Sequence, residues 1–360
     1  MKLKTKTLQE MLAKSYKGVS NNKLIPITSL LNIKVQNNLL LLTTTDATNY
    51  LYIKAPEKVD CEDIEFSVLA DTFFKLITKI TTENVELNID GNILNIKANG
   101  NYKIELPLDE NGDLIKFPTK SVPDTFGSIV KHSVVEKILN YNKASLAVSV
   151  ELPSLACYYC GEYVVTSDRF KICKTDIKMF DKPLLISSSL MDLLSIMTDE
   201  EIQYSVTPDN EMVFVTNNEL IISPVVEDIE QFPIDAIVGL ATSEFTSSCK
   251  LSRSAILDVL ERIALFVSDY DKKAIYLTFT KDGLMISSKK SSGVEVIPYE
   301  ESENFKDYTC CIDFEMLKSQ ITTQGCETIN LAYGSEVAVK LTDGNVTQIV
   351  ALAEDDRVSE

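Results

Sequence analysis

The chain has 360 residues, and its 53 acidic side chains outnumber the 35 basic ones, which gives a formal charge of −18. Its 45% apolar and 24% charged residues are typical of a folded globular protein, and 12 glycines and 11 prolines are too few for a collagen-like or low-complexity chain. At about 150 residues per domain, the length predicts two or three domains. Negative charge spread evenly would repel nucleic acids and anionic membranes, so the distribution of charge along the chain matters.

Residue counts and the absence of motifs exclude several kinds of site. His132 is the only histidine, so zinc and iron sites that need two histidines are excluded. The sequence contains neither of the two common glycine-rich phosphate-binding motifs. The first residues lack the apolar segment of a signal peptide, and no apolar run approaches the roughly 20 residues of a membrane span. We therefore expect a cytoplasmic protein.

The spacing of apolar residues predicts six helices, two in each third of the chain. Five of them show clear apolar stripes: Leu8, Met11, Leu12 and Tyr16; Phe73, Leu76, Ile77 and Ile80; Val134, Val135, Ile138 and Leu139; Leu190, Leu193, Leu194 and Met197; and Ile256, Val259, Leu260 and Ile263. The sixth helix is predicted to begin after Asp313, and Ser189, Ser252 and Asp313 are placed as N-caps. Alternating apolar strands follow each helix, as in the pair joined by the Asp90-Gly91 turn.

The same order of elements recurs about every 120 residues, and three such periods fill the chain. Each period reads helix, strands, helix, strands, and a Phe-Pro pair marks each boundary, at Phe117-Pro118 and Phe232-Pro233. The sequence therefore predicts an α+β protein with three domains of one topology, at residues 1–122, 123–243 and 244–360, the last with an acidic tail.

The polar faces of the predicted helices carry basic residues although the chain is acidic. Five of the six helices have lysine or arginine on or beside them, and only the helix near 189–197 does not. These residues are Lys14, Lys17, Lys75, Lys79, Lys137, Arg253, Arg262 and Lys318. A layer of helices that faces the phosphates of a nucleic acid is the hypothesis that this pattern raises.

Cys157 and Cys160 form a C-x-x-C motif, and Cys173 follows thirteen residues later. A reactive thiol of this kind belongs at a helix N-terminus, where its pKa is lowered. The sequence around the motif instead predicts a strand, and no second C-x-x-C completes a zinc site. We therefore predict no metal and no cofactor, and a thiol or metal enzyme is kept only as an alternative.

The chain resembles the bacterial-type DNA polymerase sliding clamp, the beta subunit of the replicative polymerase. The resemblance lies in a collinear series: Leu24 to Ile33 leading to Leu41 to Asp46, Phe73-Phe74, Phe117-Pro118, Tyr158-Tyr159 with Gly161, Thr175-Asp176 and Phe232-Pro233. It implies three tandem copies of the clamp domain, each with two helices packed on antiparallel sheets, in a head-to-tail dimeric ring. It also implies a processivity factor without catalysis, which encircles duplex DNA and binds the polymerase and the clamp loader through short linear peptides.

The resemblance also implies site residues. Tyr158 and Tyr159 resemble the family's loop tyrosines that touch DNA, and Lys23 lies one residue beside a basic family position on a DNA-facing loop. An apolar pocket for partner peptides is expected at Thr175, Asp176, Phe180, Pro233, Ile237, Val238, Ile349, Val350, Ala351 and Leu352. The subunit interface is expected where Lys103, Ile104 and Leu106 of one subunit meet Leu265, Phe266 and Val267 of the other, with Lys103 near Glu300, Glu301 or Glu303.

The pocket departs from the family's pattern, because Ile177-Lys-Met-Phe180 replaces a stretch with histidine and arginine, and Ala351-Leu-Ala353 replaces a Met-Pro-Met end. These departures indicate a divergent member with its own peptide preference. The alternative within the same fold is a scaffold for a partner other than a polymerase, such as a phage transcription factor.

Overall fold

The computed structural model describes the chain apart from residues 21, 23, 119, 124, 149–151, 228, 268–272, 291 and 356–360. The chain divides into two compact units. The first contains Met1–Val135 and Ser189–Val225, and the second contains Glu136–Ser188 and Val226–Glu360. The middle third of the sequence is thus shared between the two units, and the division into three domains at 122 and 243 stays a prediction.

Seven α-helices lie within the described residues. They are α1 (Thr5–Ser15), α2 (Ala70–Ile77), α3 (His132–Asn142), α4 (Ser188–Leu194), α5 (Ile234–Thr242), α6 (Arg253–Ile263) and α7 (Phe314–Thr323). None of these described helices has the length and apolar composition needed to cross a membrane.

The strands of the first unit form two antiparallel sheets. Their bounds are β1 (Lys2–Lys4), β2 (Leu30–Gln36), β3 (Leu39–Thr45), β4 (Tyr50–Lys54), β5 (Ile64–Leu69), β6 (Asn84–Asp90), β7 (Ile93–Lys97), β8 (Asn101–Glu105), β9 (Ser128–Lys131), β14 (Glu201–Val206), β15 (Glu211–Val215) and β16 (Glu219–Pro224). One sheet has the order β1-β6-β7-β8, and the other has the order β5-β2-β3-β4-β16-β15-β14-β9. Helices α1 and α2 pack against each other, and α1 also packs on β3 and β4.

The strands of the second unit also form two antiparallel sheets. Their bounds are β10 (Cys157–Cys160), β11 (Val164–Ser167), β12 (Lys171–Thr175), β13 (Leu184–Ser187), β17 (Ser247–Ser252), β18 (Ala274–Thr280), β19 (Gly283–Ser288), β20 (Val294–Ile297), β21 (Glu301–Glu303), β22 (Tyr308–Asp313), β23 (Thr328–Tyr333), β24 (Ala338–Asp343) and β25 (Val346–Ala351). The sheet orders are β13-β10-β11-β12-β25-β24-β23-β17-β21 and β20-β19-β18-β22. Helices α6 and α7 pack together, and their buried residues share a core with β18, β19 and β23.

The three repeats are visible in one hydrogen bond that recurs in each of them. The amide at the start of α1, α3 or α6 donates to the carbonyl of the glutamate that immediately precedes β6, β14 or β23. The three bonds are Thr5 to Glu83 at 2.9 Å, His132 to Glu200 at 2.9 Å and Arg253 to Glu327 at 2.8 Å. Because the first helical amides have no partner within their own helix, this bond satisfies one of them. The repetition predicted from the sequence therefore extends to an equivalent backbone hydrogen bond in each repeat.

The predicted elements agree with the structure in most places and differ in two. All six predicted helices are present, and Ser252 and Asp313 accept bonds from the amides of Ala255 and Met316 as N-caps. The N-cap prediction for Ser189 is wrong, because α4 begins at Ser188. Helix α5 was missed, because its sequence lacks a clear apolar stripe and follows the Phe232-Pro233 boundary.

Candidate functional site

Lys14, predicted to face DNA, instead takes part in an ion pair within the first unit. Its Nζ lies 2.5 Å from Oε1 of Glu219, whose side chain is only 4% exposed. The same Nζ also donates a hydrogen bond to the hydroxyl of Thr198. Glu219 accepts a further hydrogen bond from the hydroxyl of Thr216. The positive charge of Lys14 is therefore used to compensate a buried carboxylate and is a weak source of attraction for phosphate.

Three other basic residues of the predicted layer are paired with carboxylates near them. Lys75 lies 2.7 Å from Asp71, Arg262 contacts both oxygens of Glu295 at 2.6 and 2.8 Å, and Lys318 lies 3.4 Å from Glu261. The hydrogen bonds from Lys75 and Arg262 lower the pKa values of Asp71 and Glu295, which keeps both carboxylates charged. These pairs cancel much of the charge that the sequence places on α2, α6 and α7.

Arg253, at the start of α6, acts on a neighbouring helix end. Its Nε donates to the carbonyl of Ile321 at 3.1 Å and its Nη2 donates to the carbonyl of Thr322 at 2.8 Å. These carbonyls belong to the last turn of α7, where a cation is favourable. The structure thus assigns Arg253 a capping role.

Lys17, Lys79 and Lys137 are the basic residues of the predicted layer that stay exposed and have no ion pair with any described residue. Lys17 follows α1 and Lys79 follows α2 in the first unit, and Lys137 lies on α3 in the second. Lys23 lies outside the described residues. The predicted layer is therefore carried by fewer charges than the sequence indicates.

The two tyrosines predicted to contact DNA lie on β10 and not on a loop. Tyr158 is 0% exposed, so the DNA-binding prediction does not fit its position. Tyr159 is half-buried, and its ring lies 5.4 Å from that of Phe232 and 6.3 Å from that of Tyr163. Strand alternation explains both positions, because a residue pair on a strand points to opposite faces of the sheet, and both faces are covered here.

An apolar cluster lies beneath α5 in the second unit. Ile237 on α5 packs with Ile172 of β12 and Ile349 of β25, two residues that face each other across these strands. Val238 and Tyr159 are half-buried against the same cluster. Burying an isoleucine of this kind stabilises a fold by roughly 1.5–3 kcal/mol, so α5 is firmly held on the sheet.

The structure separates the other predicted pocket residues from this cluster. Val350 and Leu352 belong to the core of α6 and α7, since they alternate with Ile349 and face the other side of β25. Phe180 is buried outside the cluster, and Thr175 is buried with its hydroxyl bonded to Oδ1 of Asn142 at 2.7 Å. The prediction treated one strand as one surface, which the alternation of side chains does not allow. The remaining predicted residues are more accessible: Asp176 and Pro233 are exposed, and Ala351 is half-buried.

A cavity of about 690 Å³ opens beside the first turn of α5. It is lined mainly by apolar and aromatic residues: Tyr159, Pro183, Ile229, Phe232, Pro233, Ile234 and Ala236, together with Glu230 and Asp235. A concave apolar surface with a few polar groups at its rim suits a short peptide that inserts apolar side chains. Of the predicted pocket, Pro233 lines this cavity, and Ile237 and Val238 lie one turn further along the same helix.

The predicted dimer surface of the first unit is the outer edge of β8. Among the described residues, this strand has only β7 as a neighbouring strand, so its other edge offers backbone groups without a strand partner there. Lys103 is exposed, whereas Ile104 and Leu106 are 9% and 2% exposed and face the interior. The edge therefore offers backbone groups and polar side chains to a partner.

The predicted dimer surface of the second unit is an exposed apolar patch. Leu265 and Phe266 are 82% and 51% exposed, and Val294 and Val296 on the edge strand β20 are 48% and 53% exposed. Phe266 lies close to Gly293, where an added Cβ would be 2.7 Å from the ring. Val267 is half-buried against the core of α6 and α7. Val294 and Val296 were missed by sequence reasoning, although their alternation with Glu295 is typical of a strand.

The contact expected between Lys103 of one subunit and Glu300, Glu301 or Glu303 of the other stays a prediction. Glu301 and Glu303 lie on β21, which pairs with β17 in the nine-stranded sheet, whereas the apolar patch adjoins β20 of the other sheet. The carboxylate of β20 itself is Glu295, which is bound to Arg262. Pairing across a sheet could not be read from the order of residues alone.

Cys157, Cys160 and Cys173 do not have the environment of a reactive or metal-binding site. Burial raises the pKa of Cys157, raises that of Cys160 well above its usual value and raises that of Cys173 to about 12. A nucleophilic thiol needs the opposite shift. Among the described residues, no group of three or more histidine, cysteine, aspartate or glutamate side chains could hold a metal ion.

Comparison with known proteins identifies the architecture. Residues 1–115 match the model of the N-terminal domain of the DNA polymerase III beta subunit. The beta subunit from the DNA polymerase of Streptococcus pyogenes superposes with a TM-score of 0.84 at 15% identity, over 98% of this chain and 99% of that one. The chain has the sliding-clamp fold.

The agreement with the clamp fold extends over nearly the whole length of each similar structure. The DNA polymerase III beta subunit from Thermotoga maritima gives a TM-score of 0.84 at 16% identity, over 98% of this chain and 99% of that one. A putative beta subunit from Eubacterium rectale gives 0.83 at 17% identity, over 99% of both chains. No curated protein sequence matches the chain. The α+β clamp fold predicted from the resemblance is thus confirmed, at 15–17% identity to these three structures.

Proposed function

We propose that the protein is a DNA sliding clamp, a processivity factor that encircles duplex DNA and holds a polymerase on it. The observation that carries this proposal is the clamp fold over 98% of the chain, together with the family match of residues 1–115. The inert environment of the cysteines supports a binding protein over a thiol enzyme. Such a protein would work in the cytoplasm of a bacterium or of a phage-infected host.

In this proposal, two subunits join head to tail, with the β8 edge of one subunit against the β20 edge and apolar patch of the other. Two free edges of antiparallel sheets supply the backbone groups that such pairing needs. The exposed Leu265 and Phe266 supply apolar area to bury. A closed ring retains DNA by topology, so its contacts with phosphate need only be weak and independent of sequence.

The distribution of charge is consistent with sliding. Four basic residues of the predicted layer form ion pairs with carboxylates. The predicted residues that remain as candidates for phosphate binding are Lys17, Lys79 and Lys137, together with Lys23, which lies outside the described residues. Few phosphate contacts mean that little counterion release accompanies binding, so direct affinity for DNA is low. Retention then depends on the closed ring and responds little to salt.

The experiment that tests this function compares circular and linear DNA. The protein is loaded on a nicked circular plasmid by a clamp loader, free protein is removed, and retention is followed by gel filtration. We expect the protein to stay on the circle in about 0.5 M salt, which screens direct phosphate contacts beyond roughly 4 Å, and to be lost within minutes of cutting the plasmid. Equal retention on the cut and uncut plasmid would contradict a topological link.

Charge reversal at the exposed lysines should weaken direct attraction to DNA. We expect the triple variant Lys17→Glu, Lys79→Glu and Lys137→Glu to lower the affinity for a short duplex by about tenfold, and the salt slope by about 0.9 for each phosphate that it no longer neutralises. Fluorescence polarisation over a range of salt concentrations measures both. A control with Lys97, Lys182 and Lys281, which are also exposed, changed to glutamate has the same net charge. Equal effects in the two variants would show a general effect of charge and no defined DNA surface.

We further propose that the cavity beside α5 binds the linear peptides of the polymerase and the clamp loader. The apolar lining of the cavity supports this use. The cavity includes fewer of the residues that the sequence predicts for the peptide pocket. Removing residues 349–360 would be an unsuitable test. Strand β25 pairs with both β12 and β24, so the deletion would break the centre of a nine-stranded sheet.

A substitution in the wall of the cavity is the better test. We expect Ile234→Asp to reduce stimulation of the polymerase by about tenfold or more, because a carboxylate in an apolar peptide site loses its hydration without gaining a partner. Leu240→Asp on the same helix is the control, since Leu240 is 43% exposed and does not line the cavity. Primer extension on circular template measures the effect. Normal processivity of the Ile234 variant would place the partner site elsewhere.

A further inference from the structure

The outer edge of β1 has no partner strand among the described residues. Lys2, Leu3 and Lys4 face Glu86, Val85 and Asn84 of β6, and β1 has no other neighbour in its sheet. The carbonyl of Met1 accepts a bond from the amide of Leu87, and the amide of Thr5 donates to Glu83. Bonded and non-bonded pairs alternate in an antiparallel ladder, so the backbone groups of Lys2 and Lys4 point away from β6.

The corresponding strand of the third repeat has its outer edge filled. Strand β17 precedes α6 as β1 precedes α1, and the bond from Arg253 to Glu327 corresponds to that from Thr5 to Glu83. Counting back from these helix starts, Lys250 corresponds to Lys2. Lys250 pairs with Asn330 of β23 on one side and with Glu301 of β21 on the other.

Strand β21 is short, extended and acidic, with the sequence Glu301-Ser302-Glu303. The amide of Glu300 donates to the carbonyl of Lys250 at 2.9 Å, and Nζ of Lys250 lies 2.5 Å from Glu301. An acidic strand therefore uses both the backbone edge and the lysine of β17. This arrangement shows what chemistry the edge of this fold accepts.

In the first repeat, a cavity lies beside the outer edge of β1, at the position where the acidic strand β21 lies beside β17 in the third repeat. The segment after β4 bonds to the β3 side instead, through the amides of Ala55 to Leu40 and of Val59 to Asn38. A cavity of about 410 Å³ remains between this segment, β1 and α1. Its apolar lining comprises Leu3, Leu8, Met11, Leu40, Ala55 and Val59.

The rim of this cavity is basic on balance. Lys2, Lys4 and Lys58 line it together with Glu57 and Asp60, a net charge of 3 − 2 = +1 in a chain of net charge −18. Lys4 lies 2.8 Å from Glu57, and Glu86, which faces Lys2 across the two strands, lies 3.7 Å from Lys97. Of the carboxylates that line the cavity, only Asp60 then remains opposite Lys2 and Lys58. The charge at the cavity thus favours an acidic occupant.

We propose that β1 is a docking edge for an extended acidic segment of a partner protein, which adds to the sheet as a further strand. Its backbone bonds to Lys2 and Lys4, its carboxylates face the lysines, and an apolar side chain enters the cavity over Leu8 and Met11. Strand addition of this kind takes its affinity from main-chain bonds and its specificity from alternate side chains. This surface shares no residue with the proposed DNA and polymerase contacts, and the proposal does not depend on them.

The test uses a labelled peptide with the sequence of residues 298–306 of this chain, PYEESENFK, and the full-length protein. We expect saturable binding by fluorescence polarisation and slower hydrogen exchange in residues 1–8. Lys2→Pro removes one outward-facing amide and should lower the affinity by about tenfold or more, since proline is tolerated at a strand edge but cannot donate. Lys58→Glu should lower it about fivefold, and the exposed Lys281→Glu, which lies outside the cavity, should leave it unchanged.

Three results would overturn the proposal. They are the absence of saturable binding, equal affinity of the Lys2→Pro variant and the wild type at unchanged melting temperature, and equal binding of a peptide with its glutamates changed to lysine. Sedimentation of the protein alone at rising concentration tests whether the occupant of the β1 edge is a second copy of this chain. Assembly beyond a dimer that Lys2→Pro abolishes would assign the edge to self-association and not to an acidic partner.

Discussion

Changing Leu265 and Phe266 to aspartate is expected to convert the proposed dimer into monomers. Both side chains are more than half exposed in the single chain, so the fold should tolerate the change. Burial of two such residues contributes about 1.5–3 kcal/mol each, and the new carboxylates add a cost of desolvation. A loss of about 4 kcal/mol corresponds to a roughly thousandfold weaker interface.

Sedimentation velocity and retention on circular DNA measure this effect. We expect the double variant to sediment as a monomer and to leave circular DNA as fast as linear DNA, with an unchanged melting temperature. Phe170→Asp provides the control, because Phe170 is a comparably exposed aromatic residue, 56% accessible, on the turn between β11 and β12. A double variant that keeps the mass of the wild type would contradict this interface.

The second large effect is expected from Lys14→Ala, and it concerns stability. The substitution leaves the carboxylate of Glu219, 4% exposed, without its cation. Removing one member of a buried pair costs about 3–5 kcal/mol, and because Lys14 is itself 29% exposed we expect about 3 kcal/mol. Unfolding by urea, with the unfolding free energy taken from the midpoint and the slope, measures the loss.

Lys75→Ala is the matched control for this measurement. Its ion pair with Asp71 is also close, at 2.7 Å, but the two side chains are 67% and 46% exposed. Exposed pairs of this kind contribute about 0–1 kcal/mol. If the two variants lost the same free energy of unfolding, the buried pair would not have the structural role assigned to it.

The fold was largely predictable because its signals are local. Apolar stripes such as Leu8, Met11 and Leu12 repeat within a few residues, and the three repeats reinforce one another. The Asp90-Gly91 turn was also readable, since Gly91 has φ = +60° and glycine adopts such a conformation without strain. Helix α5 was not predictable from such a stripe, because it is apolar on most sides and its position depends on the sheet beneath it.

The candidate sites were less predictable because they depend on partners that are distant in sequence. Lys14 looks like a free surface lysine until folding brings Glu219, 205 residues further on, to its ammonium group. Tyr158 and Val350 each belong to a strand whose two faces are both covered, so their burial follows from the stacking of layers. A sequence shows which side chains carry charge, but the pairing that cancels the charge is a property of the fold.

The burial of most thiols makes this chain convenient for site-directed labelling. Six of the eight cysteines are buried, and only Cys61 and Cys326 are partly accessible. Changing these two to serine would leave a background that is nearly silent toward maleimides. A cysteine introduced at Lys103 and another at Val296 could then report by crosslinking whether the β8 and β20 edges meet, and a fluorophore at either position could follow opening and closing in real time.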